Sequence, residues 1–227
     1  MATRLAQAKS FQRIQATTAI NKRSHFAGGV LTPPLFKYRK GDACPLWKPH
    51  LTVPRCEQRG QRIIYWGEIT TPLGPLFAAV SDRGVCAVEF GRRKPKFSTL
   101  SKIPARLAKN ARAVAPVMAQ LREYFTGQRS HFDLPVDLSS LTPFQLKVLT
   151  VTRQIPTGQT WSYQRVAQTM GRPKSSRAVG QALGRNPIPI VIPCHRVIAS
   201  DGSLGGYSGG SGLKAKRWLL QHEGAPS

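Results

Sequence analysis

The sequence predicts an α/β chain in two folded parts: a small N-terminal antiparallel sheet plus helix domain, then a mostly helical C-terminal domain. Three observations carry that prediction. Between Arg62 and Phe90, three short runs rich in Ile, Val, Phe and Tyr are separated by turn sequences. From Thr142 onward, apolar residues recur at helical spacing behind recognisable caps. The 227 residues allow one large domain or two small ones, each with a core of its own. The boundaries are placed at residues 1–60 for a basic extension, 61–140 for a supporting α/β domain and 141–227 for the C-terminal domain.

Charge speaks next, and it speaks about partners rather than fold. Lys and Arg number 34 against 10 Asp and Glu, a formal net charge of +24. Nucleic acid is the commonest partner for such an excess. A merely solvated basic surface is the weaker reading, because the acids are so few. An anionic membrane is a further reading, without a basic amphipathic helix to select it. No apolar run approaches the ~20 residues needed to span a bilayer. The expectation is a soluble monomer with no membrane partner, cytoplasmic and nucleoid-associated in a bacterium or nuclear in a eukaryote. Cys44, Cys56, Cys86 and Cys194 show no C-x-x-C spacing, which points to free thiols in a reducing compartment rather than a zinc or redox site.

Residues 1–60 hold eleven Lys or Arg against Asp42 and Glu57, are broken by repeated Gly and Pro, and follow no apolar period. They read as a disordered basic extension. Three roles compete for it: an organelle presequence within residues 1–40, an arm adding nonspecific DNA affinity, or an artefactual upstream start. Order is expected from Arg62. The runs Arg62–Ile69, Gly74–Ser81 and Val85–Phe90 form an antiparallel meander, joined at Thr71–Gly74 and Ser81–Gly84. A basic loop follows at 91–96. Residues 105–126 then carry Val114, Val117 or Met118, Leu121 and Phe125 at helical spacing, with Gly127 as the stop. Nothing in this domain looks catalytic, and its expected role is support.

The C-terminal domain opens on Thr142-Pro143-Phe144-Gln145, a capping threonine with proline at the first helical position and Gln three residues after the cap. The helix is expected to run through Val148 and Val151 to Ile155, with Pro156-Thr157-Gly158 ending it. Ser162 caps a short helix carrying Val166, Ala167 and Met170. Gly171-Arg172-Pro173 turns the chain into a third helix over Lys174–Gly184. Two short helices about a glycine turn make a helix-turn-helix pattern. Arg165, Lys174, Arg177 and Arg185 stand on it with no acid among them, which favours DNA. A final helix spans Leu213 to His222 with Trp218, Leu219 and Leu220 inward.

Between these helices lies Pro187-Ile188-Pro189-Ile190-Val191-Ile192-Pro193-Cys194-His195-Arg196-Val197. Three prolines forbid a helix interior or a central strand. The stretch reads as a stiff, buried, extended connection delivering Cys194 to a fixed place. A thiol attacks as thiolate, and the neighbouring His195 and Arg196 supply a field that lowers its pKa. A buried structural cysteine is the competing reading of the tripeptide alone.

Pro-Cys-His-Arg-Val, set between Arg177-Ala178-Val179-Gly180, Asn186-Pro187 and the downstream Gly205–Gly210 and Trp218–Gly224 segments, resembles the O6-alkylguanine-DNA alkyltransferases, the methylated-DNA–protein-cysteine methyltransferases. The resemblance runs from about Arg62 to about Gly224. It implies a ribonuclease H-like first domain and a winged helix-turn-helix-like second one. It also implies stoichiometric, irreversible transfer of an alkyl group from O6-alkylguanine in double-stranded DNA to Cys194 after base flipping, and leaves open whether O4-alkylthymine serves too. By that resemblance His195 acts through a bridging water as the base for Cys194, and Glu223 orients His195. Tyr163 donates to the guanine ring as charge develops on it. Tyr207 and Ser208 wall the pocket, Asn186 holds the Cys194 segment, and Arg196 and Val197 flank the substrate. Counting back from Trp218 places the pocket lysine at Lys216, across a 211–217 segment two residues longer than in some members. Arg177 fills the space of the flipped base, beside Arg165, Lys174 and Arg185 on DNA. The ligands of zinc-carrying members have no counterpart here, so neither metal nor cofactor is expected. Two rivals remain: a binder of alkylated bases without transfer, some relatives of which lack the cysteine that is present here, and a cysteine hydrolase using Cys194 and His195, for which no acyl pocket is visible.

Overall fold

The computed structural model describes residues 57–58, 61–91, 95, 97, 100 and 104–225. The readings of residues 1–56, of Cys44 and Cys56, and of most of the 91–96 loop lie outside the described residues.

Strands β1 (Glu57–Gln58), β2 (Gln61–Thr71), β3 (Gly74–Ser81) and β4 (Gly84–Phe90) pair antiparallel in chain order. Pairing starts earlier than expected, because Glu57 already stands opposite Arg62. Alternation sorts the side chains. Leu76, Ala78 and Val80 join the main core, while Phe77 and Ala79 join a smaller cluster with Ile64, Phe97 and Leu100. The expected helix over 105–126 divides. Ala105–Lys109 forms β5, parallel to β2 with Leu107 opposite Ile64. Its Ala, Arg, Leu and Lys are good helix formers, so pairing along β2 overrides propensity here.

Helix α1 (Ala111–Phe125) starts at Asn110, whose Oδ1 accepts the Ala113 N–H at 3.1 Å. Its buried stripe is Val114, Val117, Met118, Leu121 and Tyr124. The sequence pattern ends that stripe at Phe125. Instead Tyr124 points inward and Phe125, only half-buried, packs on Trp218 with ring centroids 5.8 Å apart. Gly67 lets α1 lie close on the sheet, since a Cβ there would fall 2.5 Å from Val114 Cγ2.

Helix α2 (Pro143–Thr152) has the reciprocal capping box of Thr142 and Gln145. It stops before Ile155, where the N–H groups of Gln154 and Ile155 bond three residues back to Val151 and Thr152. Pro156 disfavours helical geometry at Ile155, which accounts for the tightening. Helix α3 (Tyr163–Thr169) is capped by Ser162, and Gly171 turns at φ +74° toward α4 (Ser176–Leu183). α4 begins two residues later than expected, because the Ser175 N–H closes a turn on Arg172 O. Short strands β6 (Trp161–Ser162) and β7 (Val197–Ile198) pair in parallel, and α5 (Leu213–His222) completes the fold. One apolar core runs from the inner face of the sheet through α1, α2, α3 and α4 to Val197.

The proline-rich stretch is buried but not extended. Ile192 N–H bonds back to Ile188 O at 3.0 Å, and Ile190 sits at φ +74°, a left-handed conformation that β-branched residues rarely adopt. Prolines 187, 189 and 193 fix only their own φ, leaving Ile190 free to reverse the chain. The Asn186 side chain staples this loop: Oδ1 accepts the Ile188 N–H at 3.1 Å and Nδ2 donates to Ile192 O at 2.9 Å. Strand β4 docks against it through Val88 N–H to Pro187 O at 2.8 Å.

Candidate active site

Cys194 opens a single 3₁₀ turn, Cys194–Arg196, and is 8% exposed. Its thiol faces a cleft of about 220 Å³. On one side stand Gly184, Arg185 and Asn186, on another Tyr207 to Gly210, and along a third the 87–90 segment of β4. Burial raises the thiol pKa, and the Asn186 side chain and the Lys216 ammonium offset this in part. The resting group is therefore a thiol that needs a base.

A candidate for that base stands in the next residue. His195 is completely buried, with Nε2 2.9 Å from Glu223 Oε1. Its Nδ1 meets no protein partner. Burial lowers its pKa, aided by Arg196 and Lys216 and opposed by Glu223. The imidazole is thus neutral at rest, and donation from Nε2 to the carboxylate leaves the lone pair on Nδ1.

Glu223 caps α5 at its C-terminal end. Burial would raise its pKa, yet hydrogen bonds from His195 and Arg196 and their fields bring it down to about 2. Arg196 donates from Nε to Oε2 at 2.7 Å and from Nη2 to Oε1 at 2.9 Å. It also reaches Ile155 O at 2.6 Å and Thr157 Oγ1 at 3.0 Å. The substrate-flanking place expected of Arg196 is therefore corrected. Its guanidinium is buried and fully engaged with protein oxygens, so it holds Glu223 rather than a substrate. A fourth donor to the carboxylate comes from far off in sequence: Tyr124 Oη to Glu223 Oε1 at 2.7 Å.

The remaining expected residues fall into four places. Asn186, Tyr207 and Ser208 line the cleft with Cys194. Ser208 Oγ donates to Gly184 O at 3.0 Å, and Tyr207 Oη is buried without a protein partner. Tyr163 and Lys216 gather instead around the 204–206 segment, while the side chain of Val197 is fully buried in the apolar core. Fully buried Lys216 donates to Leu204 O, to Val197 O at 2.6 Å and to Gly206 O at 3.4 Å, and burial lowers its pKa to about 8. Tyr163 Oη makes a long bond to Gly206 O at 3.4 Å, and Gly205 (φ +62°) abuts its ring so closely that a Cβ would lie 3.0 Å from it. Arg165, Lys174, Arg177 and Arg185 are all exposed, Arg165 lying 4.2 Å over the Trp161 ring. Arg185 alone of these four also borders the cleft.

Two contributors escaped the sequence. From sequence the 87–90 segment belongs to a domain with only a supporting role, yet it forms a wall of the cleft. Tyr124 sits at helical spacing in an apolar stripe, where nothing distinguishes a core tyrosine from one that serves a site. Among the described residues, no three His, Cys, Asp or Glu side chains come together as a metal site.

The arrangement has relatives. The ribonuclease-like domain of 6-O-methylguanine DNA methyltransferase matches residues 64–138, and the DNA-binding domain of the same family matches residues 143–225. A methylated-DNA–protein-cysteine methyltransferase of Shigella flexneri is 41% identical over 162 residues, covering 69% of this chain and 94% of that protein. A DNA base-flipping protein of Thermus thermophilus is 39% identical over 162 residues, 69% of this chain and 98% of that one. The crystal structure of Mycobacterium tuberculosis OGT in complex with DNA superposes with a TM-score of 0.62 at 35% identity, over 72% of this chain and 96% of that one. A likeness that takes in both folded parts and nearly the whole of each relative leaves one assignment: the chain belongs to the methylated-DNA–protein-cysteine methyltransferase family.

Proposed function

We propose that this chain repairs alkylated duplex DNA as a monomer, by moving the alkyl group of O6-alkylguanine onto Cys194 once and irreversibly. The observation that carries the reading is the buried Cys194 thiol at a cleft beside a neutral, carboxylate-held His195. Both belong to a domain whose exposed helix-turn-helix side chains supply cations to DNA.

The helix-turn-helix approaches the duplex through Arg165, Lys174, Arg177 and Arg185, whose phosphate contacts carry affinity without sequence preference. The target base leaves the stack, because its alkyl carbon is out of reach inside the duplex, and Arg177 takes the vacated space. His195 Nδ1 receives the Cys194 proton through a bridging water, and Glu223 stabilises the imidazolium that results. The thiolate then attacks the alkyl carbon in line. The S–C bond forms as the C–O bond breaks, and the electron pair passes to guanine O6. Tyr163, whose hydroxyl is only loosely held by Gly206, donates a hydrogen bond to the ring as that charge develops. Tyr207 and the Ser208 backbone enclose the base. The product thioether is a poor leaving group, so the protein stops after one equivalent. The 61–140 domain supports this machinery, and residues 1–60 add at most nonspecific affinity.

Titrating the protein against methylated duplex tests the reading. One equivalent of alkyl group is expected on the Cys194 peptide and none on those of Cys44, Cys56 or Cys86. Cys194→Ala should abolish transfer and keep binding to methylated duplex. Multiple turnovers, or label on another cysteine, would sink the mechanism. Binding without transfer by the unsubstituted protein would favour a base-flipping role alone.

A further inference from the structure

We propose that Tyr124 is a positioning residue for the alkyl transfer, its hydroxyl fixing the Glu223 carboxylate in the orientation that His195 requires. The inference rests on the function proposed above and assigns the N-terminal domain a part in its chemistry. Three donors converge on Glu223 Oε1: Tyr124 Oη at 2.7 Å, His195 Nε2 at 2.9 Å and Arg196 Nη2 at 2.9 Å. The tyrosine contact is the shortest of the three.

Tyr124 is itself held firmly. Its carbonyl accepts from His222 Nε2 at 2.7 Å, and its ring meets Phe125 and His222 edge-to-face at 5.4 and 5.3 Å. His222 stacks on Trp218 at 4.8 Å. These contacts lock the end of α1 to the end of α5, so the hydroxyl arrives at Glu223 already oriented. A phenylalanine would satisfy every one of them except the bond to the carboxylate. That bond is therefore what the hydroxyl adds.

Its chemical effect follows from sharing one oxygen. A neutral O–H donor draws charge from Oε1 and makes Glu223 a weaker partner for the His195 proton. Without it Glu223 keeps more of its charge and the imidazolium is favoured, so His195 stays protonated to a higher pH, while the carboxylate loses the contact that fixes its bearing on the imidazole. The other groups facing the pair are Arg196, Lys216, Tyr207 and Cys194, with His222 against the tyrosine, and all of them persist in a phenylalanine variant.

The test uses the full chain and free O6-benzylguanine, so that DNA binding and base flipping do not enter. Alkylation rate is followed by mass against base concentration and pH. Tyr124→Phe should lower the maximal rate constant about tenfold, the span of one charge-assisted hydrogen bond, with the half-saturating concentration unchanged. The acid limb of the pH profile should move to higher pH. Replacing Tyr124 by 3-fluorotyrosine, a stronger donor of the same shape, should move that limb to lower pH. In a Glu223→Gln background, Tyr124→Phe should cost nothing further. Unchanged rates and limbs, or the same fractional loss in both backgrounds, would overturn the inference and make Tyr124 a packing residue. Failure of the unsubstituted protein to take the benzyl group on Cys194 would instead overturn the function itself.

Discussion

Residues 186–223 and residues 61–140 build one site in opposite ways. The first segment supplies the groups proposed to react: Cys194, the neutral imidazole beside it, and the carboxylate that holds the imidazole. The second supplies none of these, yet it walls the cleft with β4 and sends Tyr124 to the back of Glu223. The difference teaches that distance from the thiol does not rank importance. A residue two contacts away that controls the charge on Glu223 can matter more than one lining the cleft.

Breaking the Glu223 node should have the largest effect. Glu223→Gln removes the anion facing buried Arg196 and His195. Leaving one partner of a buried pair unmatched costs about 3–5 kcal/mol. Loss of an oriented base costs roughly a hundredfold or more in alkylation rate. The pH dependence carries its own sign. The carboxyl pKa is lowered from 4.5 to about 2 by folding, so its contribution to stability is present above its ordinary pKa and is lost as pH falls through about 2. That contribution is of the order of 3 kcal/mol. Denaturant titrations of the two proteins should therefore show a wide gap at neutral pH that narrows toward pH about 2. A gap independent of pH would mean that Glu223 is not held as an anion.

How much of this the sequence discloses depends on the reach of each contact. Cys194 and His195 are adjacent, and their setting identifies them. Asn186 lies within the same loop, and Glu223 ends a helix whose limits, Leu213 to His222, the sequence predicts as observed. The short capped helices α2 and α3 were legible for a similar reason, since Thr142 and Ser162 act within three residues. Contacts across the fold left no such mark. β5 is a strand because β2 lies beside it, against the propensity of its own residues. Tyr124 meets Glu223 at a separation of 99 residues, which no local period can show. Resemblance alone puts Arg196 beside the substrate, but one turn of 3₁₀ helix points its side chain toward Ile155 and Thr157.

A middle-sized effect separates DNA handling from chemistry within the C-terminal domain. Arg177 is exposed on the first turn of α4. Arg177→Ala should slow repair of methylated duplex by roughly ten- to a hundredfold, since unstacking a base costs a few kcal/mol and each 1.36 kcal/mol is tenfold. Reaction with free O6-benzylguanine, which has nothing to flip, should be unchanged. Parallel losses on both substrates would make Arg177 part of the pocket or of the fold.

The smallest effect on repair is expected from a substitution that loosens the N-terminal domain far from its link to Glu223. In Gly67→Ala the new Cβ would lie 2.5 Å from Val114 Cγ2, on a β-branched side chain that is 1% exposed and cannot swing away. The sheet and α1 must separate slightly, at a cost of about 1–3 kcal/mol and a lower Tm. Tyr124 lies ten residues further along α1, about 15 Å from the strain at 1.5 Å per residue. There the His222 bond and the Phe125–Trp218 contact hold it against α5. The variant should therefore melt earlier yet alkylate Cys194 at the unsubstituted rate per folded molecule, with an unmoved pH profile. Thermal melts paired with single-turnover alkylation check this. If rate falls together with stability, the packing of the whole sheet domain, and not the Tyr124 link alone, sets the orientation of Glu223.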